Sequence, residues 1–97
     1  MVLTFSKTIT TSGTPLAIRP SYTPCATVTF TAPTTNTGSV MVGDSTVLFS
    51  TRNGIQILPG DSYTFPFIGG NGSYDLQQIF ADVQVNGEKV IATVGRS

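Results

Sequence analysis

The chain has 97 residues, of which five are lysine or arginine and five are aspartate or glutamate. Such a sparse and balanced charge argues against a nucleic-acid groove or an anionic membrane surface as the partner. The sequence has no histidine and a single cysteine, which excludes an intrachain disulfide and predicts neither a metal site nor a cofactor.

Alternation of apolar and polar residues in the first part of the chain predicts short, half-buried strands. It occurs at 3–10 and 27–32, and two further short strands are predicted at Leu16 and Ile18 and at Val40 and Val42. Lys7 interrupts the apolar side of the first segment and is interpreted as the guard of an edge strand. Segments 47–49 and 55–57 flank Asn53-Gly54, which predicts a two-residue hairpin between them.

The second part of the chain continues the same pattern. A turn is predicted at 58–61 from its Pro-Gly pair, and a strand follows in which Tyr63, Phe65 and Phe67 alternate with polar or proline residues. We expect a loop at 68–73 and a loop rather than a helical turn at 74–80. Strands at 79–83 and 90–94 are predicted to form a hairpin through Asn86-Gly87. The fold prediction is all-β, a single domain spanning 1–97 that forms a small antiparallel β-sandwich or jelly roll of about eight short strands.

The residues do not predict an enzyme. Without histidine the chain cannot hold a Ser-His or Cys-His pair. The five carboxylates mostly occupy turn-like positions, where aspartate accepts hydrogen bonds from nearby backbone amides. This pattern favours a structural role over a pair of glycosidase carboxylates. Cys25 is expected to be a packed thiol. The glycine-rich stretch 69–72 lacks the lysine and helix of a phosphate loop.

Interaction surfaces are therefore the better candidates. A domain of this size buries a small core, which favours oligomerisation or docking on a larger surface. The aromatic residues Tyr63, Phe65, Phe67 and Tyr74 are the candidate interface anchors, since tyrosine and phenylalanine are enriched in interface cores. The N-terminal segment 2–11 is a second candidate, because a terminal strand can pair with a neighbour's sheet edge.

The order of the turn motifs resembles that of a known group of proteins. The motifs are Pro24-Cys25-Ala26-Thr27-Val28-Thr29-Phe30, then Asn36-Thr37-Gly38 with Val42-Gly43, then Leu58-Pro59-Gly60-Asp61, and finally Phe80-Ala81-Asp82-Val83 with Asn86-Gly87. This layout resembles small β-sandwich virion proteins of tailed bacteriophages, especially capsid decoration (cement) proteins. The motifs shape turns and strands, so no functional residue is carried over.

The resemblance implies a homotrimer that binds the major capsid protein on the outer surface of the capsid. The alternative is a tail, neck or fibre module that recognises a protein or a carbohydrate, although the chain lacks the tryptophan common on sugar platforms. No secretion signal and no apolar run of about 20 residues is visible, so we expect synthesis in the host cytoplasm and no membrane partner.

Overall fold

The computed structural model describes residues 2–65 and 74–95, with the backbone alone for Val2. Within these residues the secondary structure consists of strands and turns. The strands are β1 (Val2–Thr8), β2 (Leu16–Ala17), β3 (Pro24–Cys25), β4 (Thr27–Thr31), β5 (Val40–Gly43), β6 (Ile55–Ile57), β7 (Ser62–Phe65), β8 (Tyr74–Asp75), β9 (Phe80–Val83) and β10 (Lys89–Gly95).

Eight of these strands form two four-stranded antiparallel sheets. Sheet A has the order β1-β10-β4-β7 and sheet B the order β2-β9-β5-β6, while β3 and β8 form a small pair of their own. The all-β fold predicted from the sequence is confirmed, and its architecture is that of a small β-sandwich. The short strands β3 and β8 were not predicted.

The core lies between the two sheets, and the period-two pattern of the strands builds it. In β4 the side chains of Val28 and Phe30 are fully buried. Their neighbours in β10, Val94 and Ala92, lie opposite them in the register and are also buried. Sheet B contributes residues such as Val42 to the same apolar cluster. Because side chains alternate along a strand, the threonines between these positions lie on the outer face of sheet A.

The predicted hairpin between 47–49 and 55–57 is wrong. Strand β6 pairs with β5 instead, and residues 44–54 form a loop in which a lone bridge joins Leu48 to Asn53. The loop turns at Arg52, which has a positive φ of 58°. Its conformation is fixed from outside, because the backbone amide of Phe49 donates to the Asp82 carboxylate at 2.8 Å. A distant partner thus overrides the local turn signal.

The prediction of a hairpin at Asn86-Gly87 is also wrong. A tight turn is present there, with Gly87 at a φ of 82°, a conformation that glycine adopts without strain. However, the turn leads from β9 in sheet B to β10 in sheet A, so it links the two layers rather than two paired strands. The Gly87 amide donates to the carbonyl of Ile9 at 2.9 Å, which ties this crossing to the end of β1.

Candidate interaction surface

Three of the four predicted interface aromatics lie together at one margin of the sandwich. The Phe65 ring packs edge-to-face against Tyr63, Tyr74 and the core residue Phe30, with ring centroids 5.7, 5.3 and 5.3 Å apart. This geometry is the favoured one for aromatic pairs. The fourth predicted residue, Phe67, and the predicted loop 68–73 lie outside the described residues.

The position of β7 explains why this aromatic group is only partly covered. Tyr63 lies opposite Phe30 in the register, so its side chain belongs to the inner face of sheet A. It is nevertheless 44% exposed, whereas Phe30 is fully buried. The difference arises because β7 is the outermost strand of sheet A. The ring is therefore supported from within by Phe65 and left accessible from outside.

The outer face of sheet A carries a row of threonines. The register places Thr4 beside Thr93, Thr93 beside Thr29, and Thr29 beside Thr64, so that one row crosses all four strands. The Thr29 and Thr64 hydroxyls are hydrogen-bonded at 2.9 Å. The next row is Ser6, Ile91, Thr31 and Ser62. These two rows carry no charged residue. In the sequence these residues are visible only as alternating threonines, which strand propensity alone explains. The register that aligns them across the sheet cannot be read from a single strand.

The two edges of sheet A carry opposite charge. Lys7 lies on β1, and the Arg19 guanidinium stacks over the β1 residue Phe5, 4.4 Å from its ring centroid. Asp61 directly precedes β7, and its side chain is exposed. Neither β1 nor β7 has a second partner strand within the described part of the chain. The sequence interpretation of β1 as an edge strand is therefore confirmed.

Asp82 is the most deeply placed charged residue described. It is completely buried, and its Oδ1 accepts hydrogen bonds from the amides of Gly13 and Val83, both at 2.9 Å. Its Oδ2 accepts the Phe49 amide at 2.8 Å. Asp82 lies in strand β9, within the strand predicted at 79–83, so it is not one of the carboxylates at turn-like positions. Its hydrogen bonds show a structural role, because they join two loops to the central part of sheet B.

Two other carboxylates stabilise loops at the surface. Burial raises the pKa of Glu88, but hydrogen bonds from the Thr37 and Gly38 amides and the Thr37 hydroxyl outweigh it, so its pKa lies below the ordinary value. The Thr46 hydroxyl and amide lower the pKa of Asp44 in the same way. Both carboxylates act as acceptors for loop backbone, which is the role that the sequence favoured.

The described residues do not bring metal-ligating side chains together. No group of three histidine, cysteine, aspartate or glutamate residues among them could hold a metal ion. A polar pocket of about 190 Å³ between β5 and its following loop contains a single carboxylate, that of Asp44. Cys25 is 2% exposed. A helix able to span a membrane is also absent from the described part of the chain.

Comparison with known proteins adds no further constraint. Neither a protein-family model, nor a curated protein, nor a solved structure matches the chain.

Proposed function

We propose that this protein is a structural virion protein that binds the outer surface of a phage capsid and stabilises it, acting as a homotrimeric decoration protein in contact with the major capsid protein. The observation that carries the proposal is the inward-facing but half-exposed Tyr63 on an edge strand. The turn-motif resemblance supplies the biological setting.

The aromatic group has the features of an interface anchor. Tyr63 is held by its edge-to-face contact with Phe65, so little side-chain freedom remains to be lost when a partner covers it. Aromatic side chains that enter a dry, packed contact commonly dominate its binding energy. A domain with this anchor on its margin gains buried area by joining a neighbouring subunit, either of its own kind or of the shell.

The outer face of sheet A supports the same proposal. Its two rows consist of threonine and serine side chains with Ile91 and are uncharged, which removes the repulsion that would oppose close protein contact. It also lacks the basic stripe that nucleic-acid binding requires. Binding to an assembled shell stabilises that shell by mass action, and many modest contacts repeated by symmetry add to a large effect.

Reconstitution on particles tests the proposal. Particles that lack the protein are mixed with the wild type, with Tyr63→Ser, or with Tyr22→Ser, which alters an exposed tyrosine outside the aromatic group. The wild type and Tyr22→Ser should bind in hundreds of copies and raise the temperature of particle rupture, whereas Tyr63→Ser should do neither. Equal rupture temperatures with and without bound wild-type protein would refute the proposal. Loss of adsorption with a few copies per particle would indicate the tail, neck or fibre module instead.

A further inference from the structure

We propose that copies of this chain join edge to edge, with β1 of one copy paired antiparallel to β7 of the next and Thr4 opposite Thr64. The inference rests on the proposed function in taking the protein to act as an oligomer of identical subunits. It specifies which surfaces form the contact between these subunits.

Strand direction allows this pairing without any reorientation of the sheet. Every pair in the order β1-β10-β4-β7 is antiparallel, so direction alternates and β1 runs opposite to β7. A second copy placed beside β7 in the same orientation therefore presents its β1 antiparallel to β7. The inner and outer faces of the two sheets also continue into one another. The contact is heterologous, as in cyclic oligomers.

The backbone hydrogen-bonding groups are also in phase. The Ile9 amide donates to Glu88 on the β10 side, so alternation directs the N–H and C=O groups of Thr4 and Ser6 away from β10, to the open edge. The Ala32 amide donates to Asp61, so by the same rule Ser62 and Thr64 present theirs at the open edge of β7. Thr4 opposite Thr64 and Ser6 opposite Ser62 are then hydrogen-bonded pairs.

The side chains in this register match on both faces. On the inner face, Phe5 of one copy lies opposite Tyr63 of the next, and Leu3 lies opposite Phe65. The pairing therefore covers the half-exposed tyrosine with another aromatic ring, a favourable cross-strand pair. On the outer face, the threonine row that crosses one sheet continues into the next sheet without interruption.

Charge complementarity selects both the partner edge and the register. With Thr4 opposite Thr64, Lys7 of one copy lies opposite Asp61 of the next. A slip of two residues in one direction places Asp61 opposite Phe5, and a slip in the other places it opposite the buried Ile9. Pairing β1 with β1 would bring Lys7 and Arg19 of both copies together, and pairing β7 with β7 would bring two Asp61 side chains together. Only unlike edges join opposite charges.

A charge-swap experiment on the purified full chain tests the contact. Sedimentation velocity measures self-association of the wild type, K7E, D61K, and a chain that carries both substitutions. Each variant alone should associate about tenfold more weakly, since like charges then face each other across the contact. The chain that carries both substitutions should recover wild-type association, because the two charges are then exchanged at every contact and opposite charges again face each other. The controls R52E and D44K change charge in the β5–β6 loop and should associate as the wild type does.

Cysteine pairing provides a second measurement that does not depend on affinity. The Cα atoms of a hydrogen-bonded antiparallel pair lie about 5.5 Å apart, within the range of about 4.4–6.8 Å that a disulfide spans. T4C mixed with T64C and oxidised should give a reducible covalent dimer, whereas T8C mixed with T64C should not. The register is refuted if T8C cross-links as well as T4C does, or if combining K7E with D61K in one chain restores nothing. A wild type that is monomeric and a T4C–T64C mixture that forms no dimer would refute the contact itself. Because no capsid is present, these outcomes are independent of whether the protein strengthens particles.

Discussion

Asp82 and Tyr63 are opposite cases of a side chain whose polarity does not match its position in the fold. Asp82 is a charged group in the interior, and three backbone amides satisfy it from within the chain. Tyr63 is an aromatic ring on the inner face of its sheet, and the chain leaves it half-exposed. The first arrangement is complete among the described residues, whereas the second leaves part of an aromatic ring that a partner can cover. The contrast separates residues that maintain the fold from residues available for assembly.

The largest effect on stability is expected for substitution of Asp82. Asp82→Ala removes the acceptor of three backbone amides, two of them from loops that β9 otherwise holds. The free energy of unfolding should fall by about 3 kcal/mol, because unsatisfied donors lose their hydrogen bonds. Chemical denaturation measures it. Asp82→Asn, which keeps one acceptor oxygen in a side chain of similar shape, should lower the free energy of unfolding by less. A loss below about 1 kcal/mol for Asp82→Ala would show that water replaces the carboxylate easily.

A smaller and pH-dependent loss is expected for Glu88→Gln. The folded pKa of Glu88 lies below its ordinary value of 4.5, so the charged form contributes stability above the unfolded pKa. This contribution decreases as the pH falls below that value and through the folded pKa. The wild type should be slightly more stable than the variant at neutral pH, because a charged carboxylate accepts these hydrogen bonds more strongly than a neutral amide oxygen does, while exposure to solvent keeps the difference small. Unfolding measured across the acid range should show the two converging. A constant difference would contradict the assignment.

Substitution of Tyr63 should have a small effect on stability and a large effect on self-association. Tyr63→Thr keeps a residue of high strand propensity in β7 and removes one edge-to-face contact with Phe65. We expect a loss of about 0.5–1 kcal/mol in unfolding free energy, together with loss of self-association in sedimentation. Tyr22→Thr is the matched control and should leave association unchanged. If Tyr63→Thr still associates normally, the ring does not belong to the contact between copies.

The smallest effect concerns a surface loop unrelated to either site. Thr46→Val removes the hydroxyl that chiefly lowers the Asp44 pKa, while the Thr46 backbone amide contact can persist. The pKa should rise towards its ordinary value of 3.8 without reaching it. Carboxyl NMR titration measures the change, and thermal unfolding should be almost unaffected. An unchanged pKa would assign the whole shift to the backbone.

The sequence predicts the features that depend on neighbouring residues. Alternation through 27–31 is sufficient to place Val28 and Phe30 inside and the threonines outside, because side-chain direction has a period of two. The local signal at Asn53-Gly54 failed, because Phe49 is bound by Asp82, which lies 33 residues away. The sandwich architecture could therefore be predicted, whereas the connections between its layers could not.

The candidate interaction surface shows the same difference between what local sequence and what strand order determine. Composition was the basis for proposing Tyr63, Phe65, Phe67 and Tyr74 as interface candidates, since a small core has limited room for large rings. That Tyr63 lies on an edge strand and Phe30 in the sheet interior depends on strand order, which single-strand patterns do not contain. The alignment of Thr4, Thr93, Thr29 and Thr64 depends on three separate registers. Cross-strand relations of this kind emerge only from the assembled sheet.

The pairing of β1 with β10 has a consequence for how the chain acquires its structure during synthesis. Val2–Thr8 is made before the other strands of sheet A but pairs along its whole length with Lys89–Gly95, so sheet A cannot close until β10 has emerged. Contacts between residues so far apart in sequence slow folding, typically to milliseconds or seconds for all-β domains. During that interval β1 has both edges unpaired. The charge on Lys7 then protects the nascent strand against premature pairing with other chains, before it can serve the finished subunit.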